Sequence, residues 1–162
     1  MVKIAREIGV LLRQAGLTLG TVESGTGGLI AHLITGVPGS SDYFKGSVIA
    51  YSNEVKHRVV GVKANTLKKY GAVSPLVAEE MASGGRKVLA VDICLSDTGI
   101  AGPGGATPGK AVGLFYLGLA GPDGVSSRKY EFHGNRTQNK SSTALAALEW
   151  LKEYLLSHRG AV

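Results

Sequence analysis

The sequence predicts a three-layer α/β/α sandwich around a mixed, mostly parallel sheet. Helical and strand-like segments alternate early in the chain, the pattern of parallel crossover units. Two strand-like runs near the end, VGLFYLGLA (112–120) and SSRKYEFH (126–133), flank Pro122-Asp123-Gly124, a hairpin turn that adds antiparallel pairing. The 162 residues, 44% hydrophobic and 19% charged, suit one globular core. Residues 1–162 are therefore read as a single domain without repeat or linker.

Each element has a local reason. Ile4, Ile8, Leu11 and Leu12 fall at helical spacing within residues 3–15, and Gly16 is a plausible stop. Residues 17–23 are an apolar, β-leaning run, and 26–35 read as a helix ended by Gly36 and Pro38. PGSSD (38–42) is a loop, YFKGSVIAY (43–51) a second strand, and Ser52-Asn53 a cap for a helix that Gly61 ends. A short helix is expected at 64–70. Ser74 and Pro75 then open one that runs to about Ala90, weakened by Gly84-Gly85. VDICLSD (91–97) is a strand and 98–110 a loop rich in Gly and Pro. In the last helix, about 136–158, Leu145, Leu148, Leu151 and Leu155 share a face.

Composition narrows the function. The net charge of +6 favours an anionic partner. The basic residues are scattered, with KHR (56–58), KK (68–69) and RK (86–87) the only short clusters and no interleaved aromatics, which argues against nucleic acid. No apolar run reaches the roughly 20 residues of a membrane span. The amphipathic start, MVKIAREIGVLLRQAG, is not a signal peptide. The one cysteine, Cys94, can form no internal disulfide and is read as packing, so a reducing, cytoplasmic setting is expected. His32, His57, His133 and His158 lack metal-ligand spacing, and no metal or cofactor is expected.

The glycine loops carry the chemistry. GGATPGK (104–110) matches the start of a phosphate-binding loop, but Ala111 replaces the required Ser or Thr and a strand-like run follows. Gly25-Thr-Gly-Gly-Leu-Ile fails as a dinucleotide fingerprint because Ile30 stands where the third glycine belongs. What remains at ESGTGG (23–28) is a strand end, a serine, a glycine turn and a helix start, which gathers N–H groups around one point. Ser24 is either a nucleophile at the mouth of this turn or merely a helix cap. In YSNEVK (51–56), with Asn53 as cap, Lys56 falls in the first helical turn, where the dipole and partial burial both lower a lysine's pKa. It is then a general base for Ser24, or else a solvated lysine. Tyr51 orients a proton or is a core aromatic. Asp97 accepts a hydrogen bond from substrate or caps its loop.

Taken together, ESGTGG, VPGSSDYFKGSVIAYSNEVK, GAVSP and TGIAGPGGATPGKAVG resemble the CinA C-terminal domain family over about residues 5–155. Its characterised members are nicotinamide-nucleotide amidases, and its fold is a three-layer α/β/α sandwich. The resemblance implies hydrolysis of nicotinamide mononucleotide to nicotinic acid mononucleotide and ammonia. It assigns Ser24 as nucleophile, Tyr51 and Lys56 as its YxNxxK partners, and Arg136 of GNR as a contact for an anionic substrate. It also implies a homo-oligomer. On this reading the N–H groups at Thr26, Gly27 and Gly28 hold the oxyanion. Thr98, Gly99, Gly102, Gly104 and Gly105 bind substrate, with the phosphate on the 99–105 loop beside Arg136. Two positions depart from the family pattern. Gly25 replaces the cysteine of ESCTGG, at a position that follows the nucleophile and retains an N–H for the oxyanion, and Asp97 replaces an apolar or small residue, where a carboxylate would repel a phosphate. The domain often fused ahead of this one is not in the sequence, so its pyrophosphatase activity is not expected. The alternative is a non-catalytic nucleotide-binding module linked to competence or DNA damage.

Overall fold

The computed structural model describes residues 1–158. In chain order the elements are α1 (Val2–Ala15), β1 (Leu19–Glu23), α2 (Leu29–Thr35), a 3₁₀ turn (Ser40–Asp42), β2 (Phe44–Ile49), α3 (Asn53–Arg58), α4 (Ala64–Tyr70), α5 (Pro75–Val88), β3 (Ile93–Gly99), β4 (Leu114–Gly121), β5 (Gly124–Glu131) and α6 (Arg136–Ser157). The five strands form one sheet in the order β2-β1-β3-β4-β5. β1 pairs in parallel with β2 and β3, and β4 runs antiparallel to both β3 and β5. Only β4 opposes the common direction, so the sheet is mixed and mostly parallel.

Alternation along the strands builds two cores. Leu19, Ile93, Leu95, Leu117 and Leu119 pack with Ile8, Leu12, Ile30, Ile34, Leu148 and Leu151 of α1, α2 and α6. Val22 and Cys94 face the other way, against Val77 and Met81 of α5 and against Val60 and Val62. Helices thus cover both faces, as the alternating pattern predicts. Gly84 and Gly85 do not break α5. They allow it to sit close: a Cβ at 84 would lie 1.6 Å from the Val60 carbonyl oxygen, and one at 85 would lie 2.2 Å from Val22 Cγ2.

Several boundaries differ from the sequence expectation. α2 begins at Leu29 rather than 26, because Gly27 and Gly28 adopt φ of 63° and 99°, outside the helical region. Ser52, not Asn53, caps α3, its hydroxyl accepting from the Val55 N–H at 3.2 Å. Thr98 and Gly99 belong to β3 because they pair with Tyr116 and Phe115 of β4. The hairpin closes on Pro122-Asp123, so β5 starts two residues early. Leu148, Leu151 and Leu155 are buried, while Leu145 is only half-buried. The Ser74 cap and Pro75 start of α5 match expectation, as does α4 at 64–70.

The strand order creates a switch point. From β1 the chain turns through α2 to β2 on one side, while β3 flanks β1 on the other. In open α/β sheets a ligand crevice lies at such a point, outside the carboxyl ends of the strands. Glu23-Ser24 and Asp97-Thr98 stand there. Val22 is in register with Ser96, so Glu23 and Asp97 are the next pair along.

Candidate active site

At the end of β1 the chain leaves the sheet through Ser24–Gly28, held by two buried carboxylates. Glu23 Oε2 accepts from the N–H groups of Gly28 (2.9 Å) and Ile30 (3.0 Å), and Oε1 from Ala31 (2.8 Å). The orphan N–H groups that open α2 are therefore satisfied from within the protein. Asp97 accepts from the N–H of Ser24 at 3.2 Å and of Thr26 at 3.1 Å. The Thr26 hydroxyl joins the two acids, 2.6 Å from Glu23 Oε2 and in hydrogen-bond contact with Asp97 Oδ1. One hydroxyl hydrogen cannot serve two carboxylates at once. Burial pushes the Asp97 carboxyl up to about 6; the Thr26 hydroxyl opposes the rise and Glu23 adds to it.

Ser24 faces Lys56. Lys56 lies on α3 yet is 1% exposed, and its Nζ donates to Ser24 Oγ at 2.9 Å, to the Ala50 carbonyl at 2.8 Å and to the Tyr51 carbonyl at 3.0 Å. An ammonium fills all three contacts with its three hydrogens. A neutral amine keeps both carbonyls and turns its lone pair to the serine hydroxyl. Burial lowers its pKa to about 8, with the Asp97 charge pulling the other way. Of the two reasons offered by the sequence, burial is the larger, and the α3 dipole is secondary in a helix of six residues.

The pair opens into a cavity of about 180 Å³ lined by Gly25, Tyr51, Ala72, Val73, Thr98, Gly99, Ala101 and Arg136 besides Ser24 and Lys56. A wider groove of about 520 Å³ lies elsewhere, between α5 and the β4–β5 hairpin, and its lining includes neither Ser24 nor Lys56. Tyr51 is 63% exposed at the cavity rim. Its hydroxyl accepts from Arg136 Nη2 at 3.3 Å, so it is not a core aromatic and not a partner of Ser24; its backbone carbonyl is what holds Lys56. Arg136 Nη1 donates to the Gly102 carbonyl at 2.8 Å, tying the start of α6 to the glycine loop. The Thr98 hydroxyl donates to the Ala72 carbonyl at 2.8 Å, which fixes the opposite wall.

Three sequence expectations are corrected. The Thr26 N–H is spent on Asp97 and the Gly28 N–H on Glu23, while Thr26, Gly27 and Gly28 line a different groove, beside His32 and Lys140. The Thr26 and Gly28 amides are thus not free to meet an oxyanion at Ser24, and Gly27 lines that other groove. The Gly25 N–H, between two amides held by Asp97, has no protein acceptor among the described residues, and Gly25 lines the Ser24 cavity. Gly104 and Gly105 are exposed and line no wall of that cavity; from the loop, Thr98, Gly99 and Ala101 do. Asp97 is wholly buried and points its oxygens at the Ser24 loop, so it neither meets substrate nor repels a phosphate. Sequence reasoning missed the Glu23 brace and the Ala72-Val73 wall. The GAVSP run was the available signal for the wall.

A family model described as the CinA C-terminal domain matches residues 1–155. A Halothermothrix orenii protein named for competence-damage induction is 57% identical over 150 residues, covering 92% of this chain and 36% of that protein. A CinA-like protein of Geobacter metallireducens is 46% identical over 148 residues, covering 91% and 36%. The chain thus spans little more than a third of these relatives. The crystal structure of a competence/damage inducible protein from Agrobacterium tumefaciens superposes with a TM-score of 0.90 at 36% identity, covering 93% of this chain and 92% of that one. That of competence damage-inducible protein A from Klebsiella pneumoniae gives 0.94 at 28% identity, covering 98% of each.

Proposed function

The chain belongs to the CinA C-terminal domain family, and on that premise we propose that it is a serine–lysine amidase that deamidates nicotinamide mononucleotide. The observation that carries the proposal is the buried Lys56 Nζ, 2.9 Å from Ser24 Oγ. A lysine brought near neutrality by burial and aimed at a serine hydroxyl is an activated nucleophile pair. Helix capping does not require it.

The steps follow from the contacts. Neutral Lys56 takes the hydroxyl proton as Ser24 Oγ attacks the carboxamide carbon, and the carbonyl π pair moves onto oxygen. The Gly25 N–H is the donor available to that oxyanion. As the intermediate collapses, the C–N bond breaks and the Lys56 proton goes to the departing nitrogen, so ammonia leaves. Water then attacks the acyl-Ser24 ester and gives a proton to Lys56; as the C–O bond to serine breaks, Lys56 returns that proton to Ser24 Oγ, so the carboxylic acid leaves and both the serine and the neutral amine are restored.

The cavity supports an amide carried on a larger molecule. At about 180 Å³ it is smaller than the roughly 300–1,000 Å³ of whole-ligand pockets, so it would take the carboxamide end while the remainder rests outside. Arg136 at the rim keeps guanidinium hydrogens beyond its two protein contacts and suits a phosphate there.

The test is ammonia release from nicotinamide mononucleotide by the purified protein, with and without EDTA, beside Ser24→Ala and Lys56→Ala. Release that survives EDTA and vanishes in both variants supports the amidase. Ligand binding without release, equal in all three proteins, would replace it with a nucleotide-binding module.

A further inference from the structure

The steps above leave Asp97 unused, although it is among the most committed side chains in the molecule. It has no exposed surface, and its oxygens reach the N–H groups of Ser24 and Thr26 and the Thr26 hydroxyl. The residue between those two amides is Gly25. A Cβ there would lie 3.1 Å from Asp97 Oδ2 and 2.4 Å from Phe115 Cε1. The Phe115 ring is itself seated on Gly99, where a Cβ would come within 2.1 Å of it. The carboxylate, the ring and the bare Gly25 backbone therefore fill one space, and a side chain at 25 competes with Asp97 for it.

We propose that Asp97 is a positioning residue for the Ser24–Lys56 pair, and that Gly25 is the space this role requires. The carboxylate clamps the amides on either side of Gly25 and leaves the Gly25 N–H between them without a protein acceptor among the described residues. It also supplies the buried negative charge in whose field Lys56 sits. Glu23 on β1 faces Asp97 across Thr26; Lys56 reaches the site from α3; β4 contributes only the uncharged Phe115 ring. Lys140 of α6 lies over Gly27 on the outer side of the loop, and Arg136 stands at the rim. Asp97 titrates near 6 and Lys56 near 8, so Asp97 is an anion across the range where Lys56 changes charge. The kinetic part of this proposal rests on the amidase reading; the Lys56 part does not.

The experiment is an NMR titration of the Lys56 side chain in the wild type and in Asp97→Asn, with the resonance assigned by its loss in Lys56→Met. Removing the charge lowers the Lys56 midpoint by about one pH unit. The rising limb of the rate–pH profile moves down with it, and kcat falls about 10- to 100-fold with KM nearly unchanged. A folded Asp97→Asn protein whose Lys56 midpoint and pH profile stay in place would overturn the proposal and leave Asp97 a structural brace. Gly25→Ala gives a second route should Asp97→Asn not fold. The added methyl presses on the Phe115 ring at 2.4 Å and on Asp97 Oδ2 at 3.1 Å, so both must shift and the Lys56 midpoint falls; an unmoved midpoint there also counts against the proposal. A wild type that releases no ammonia would sink the amidase reading alone, because the titration needs no turnover.

Discussion

The loop from Ser24 to Gly28 has two sides built on opposite principles. On the Thr26 side hydrogen bonding is dense: two carboxylates collect N–H groups from Ser24, Thr26, Gly28, Ile30 and Ala31 and share one hydroxyl. On the Ser24 side it is sparse: the hydroxyl has one partner, Lys56 Nζ, and the neighbouring Gly25 N–H has none among the described residues. The first side cannot relax without stranding buried polar groups, which holds the backbone still. The second can exchange one proton without breaking the Lys56 contacts to Ala50 and Tyr51. Rigidity and reactivity are thus separated across a single turn, an arrangement suited to preorganised catalysis.

Breaking either side should have a different signature. Lys56→Met removes the base and should cost about 10²–10⁴ in turnover while the fold persists. It should also change the pH dependence of stability. The native lysine has its pKa lowered to about 8 from the ordinary 10.5, so between those values the unfolded chain holds a proton the folded one lacks. Wild-type stability therefore rises as pH climbs from about 8 toward 10.5, and Lys56→Met should lose that slope in urea titrations at several pH values.

Glu23→Gln attacks the densely bonded side. A carboxamide has one acceptor oxygen, so some of the three α2 N–H groups now bonded to Glu23 would face an NH₂. A loss of about 2–4 kcal/mol in unfolding free energy is expected. Turnover per folded molecule should fall less than in Lys56→Met. The reverse ranking would mean that the two sides are not separable.

The smallest effect should come from the rim. Arg136 is exposed and touches neither Ser24 nor Lys56, so Arg136→Ala should raise KM for a phosphorylated amide about tenfold with kcat little changed. The same variant should leave the unphosphorylated nucleoside unaffected. A matching loss on both substrates would place Arg136 in holding Gly102 and Tyr51 rather than in reading charge.

Much of this was legible without coordinates. The early alternation and late hairpin gave the layers and the single opposed strand, because periodicity reports which face of each element is buried. The Ser74-Pro75 start, the 64–70 helix and the Ser24–Lys56 pairing were readable from local residue types. The oxyanion donors were legible only in part, since Gly25 stood beside Thr26 and Gly27 as a candidate with nothing to choose between them. Thr26 and Gly27 look available in ESGTGG, and nothing local shows that an acid 71 residues away takes the Thr26 amide. Tyr51 was read only in part for a related reason: its side chain attracts notice and stands exposed rather than in the core, while its carbonyl holds Lys56.

The sequence by itself determined the alternation of helices and strands, the capped helix starts, the glycine turn after β1 and the residue types able to act as nucleophile and base. Those depend on neighbours within a few positions, where propensity and periodicity act. Tertiary structure alone decided which N–H groups remain available, that Asp97 faces the loop rather than the substrate, and that Lys56 is buried deeply enough to titrate near 8. Each of these is a property of the β1–β3 junction and of α3 packed against it. Hydrogen-bond competition and desolvation are set by what surrounds a group in space.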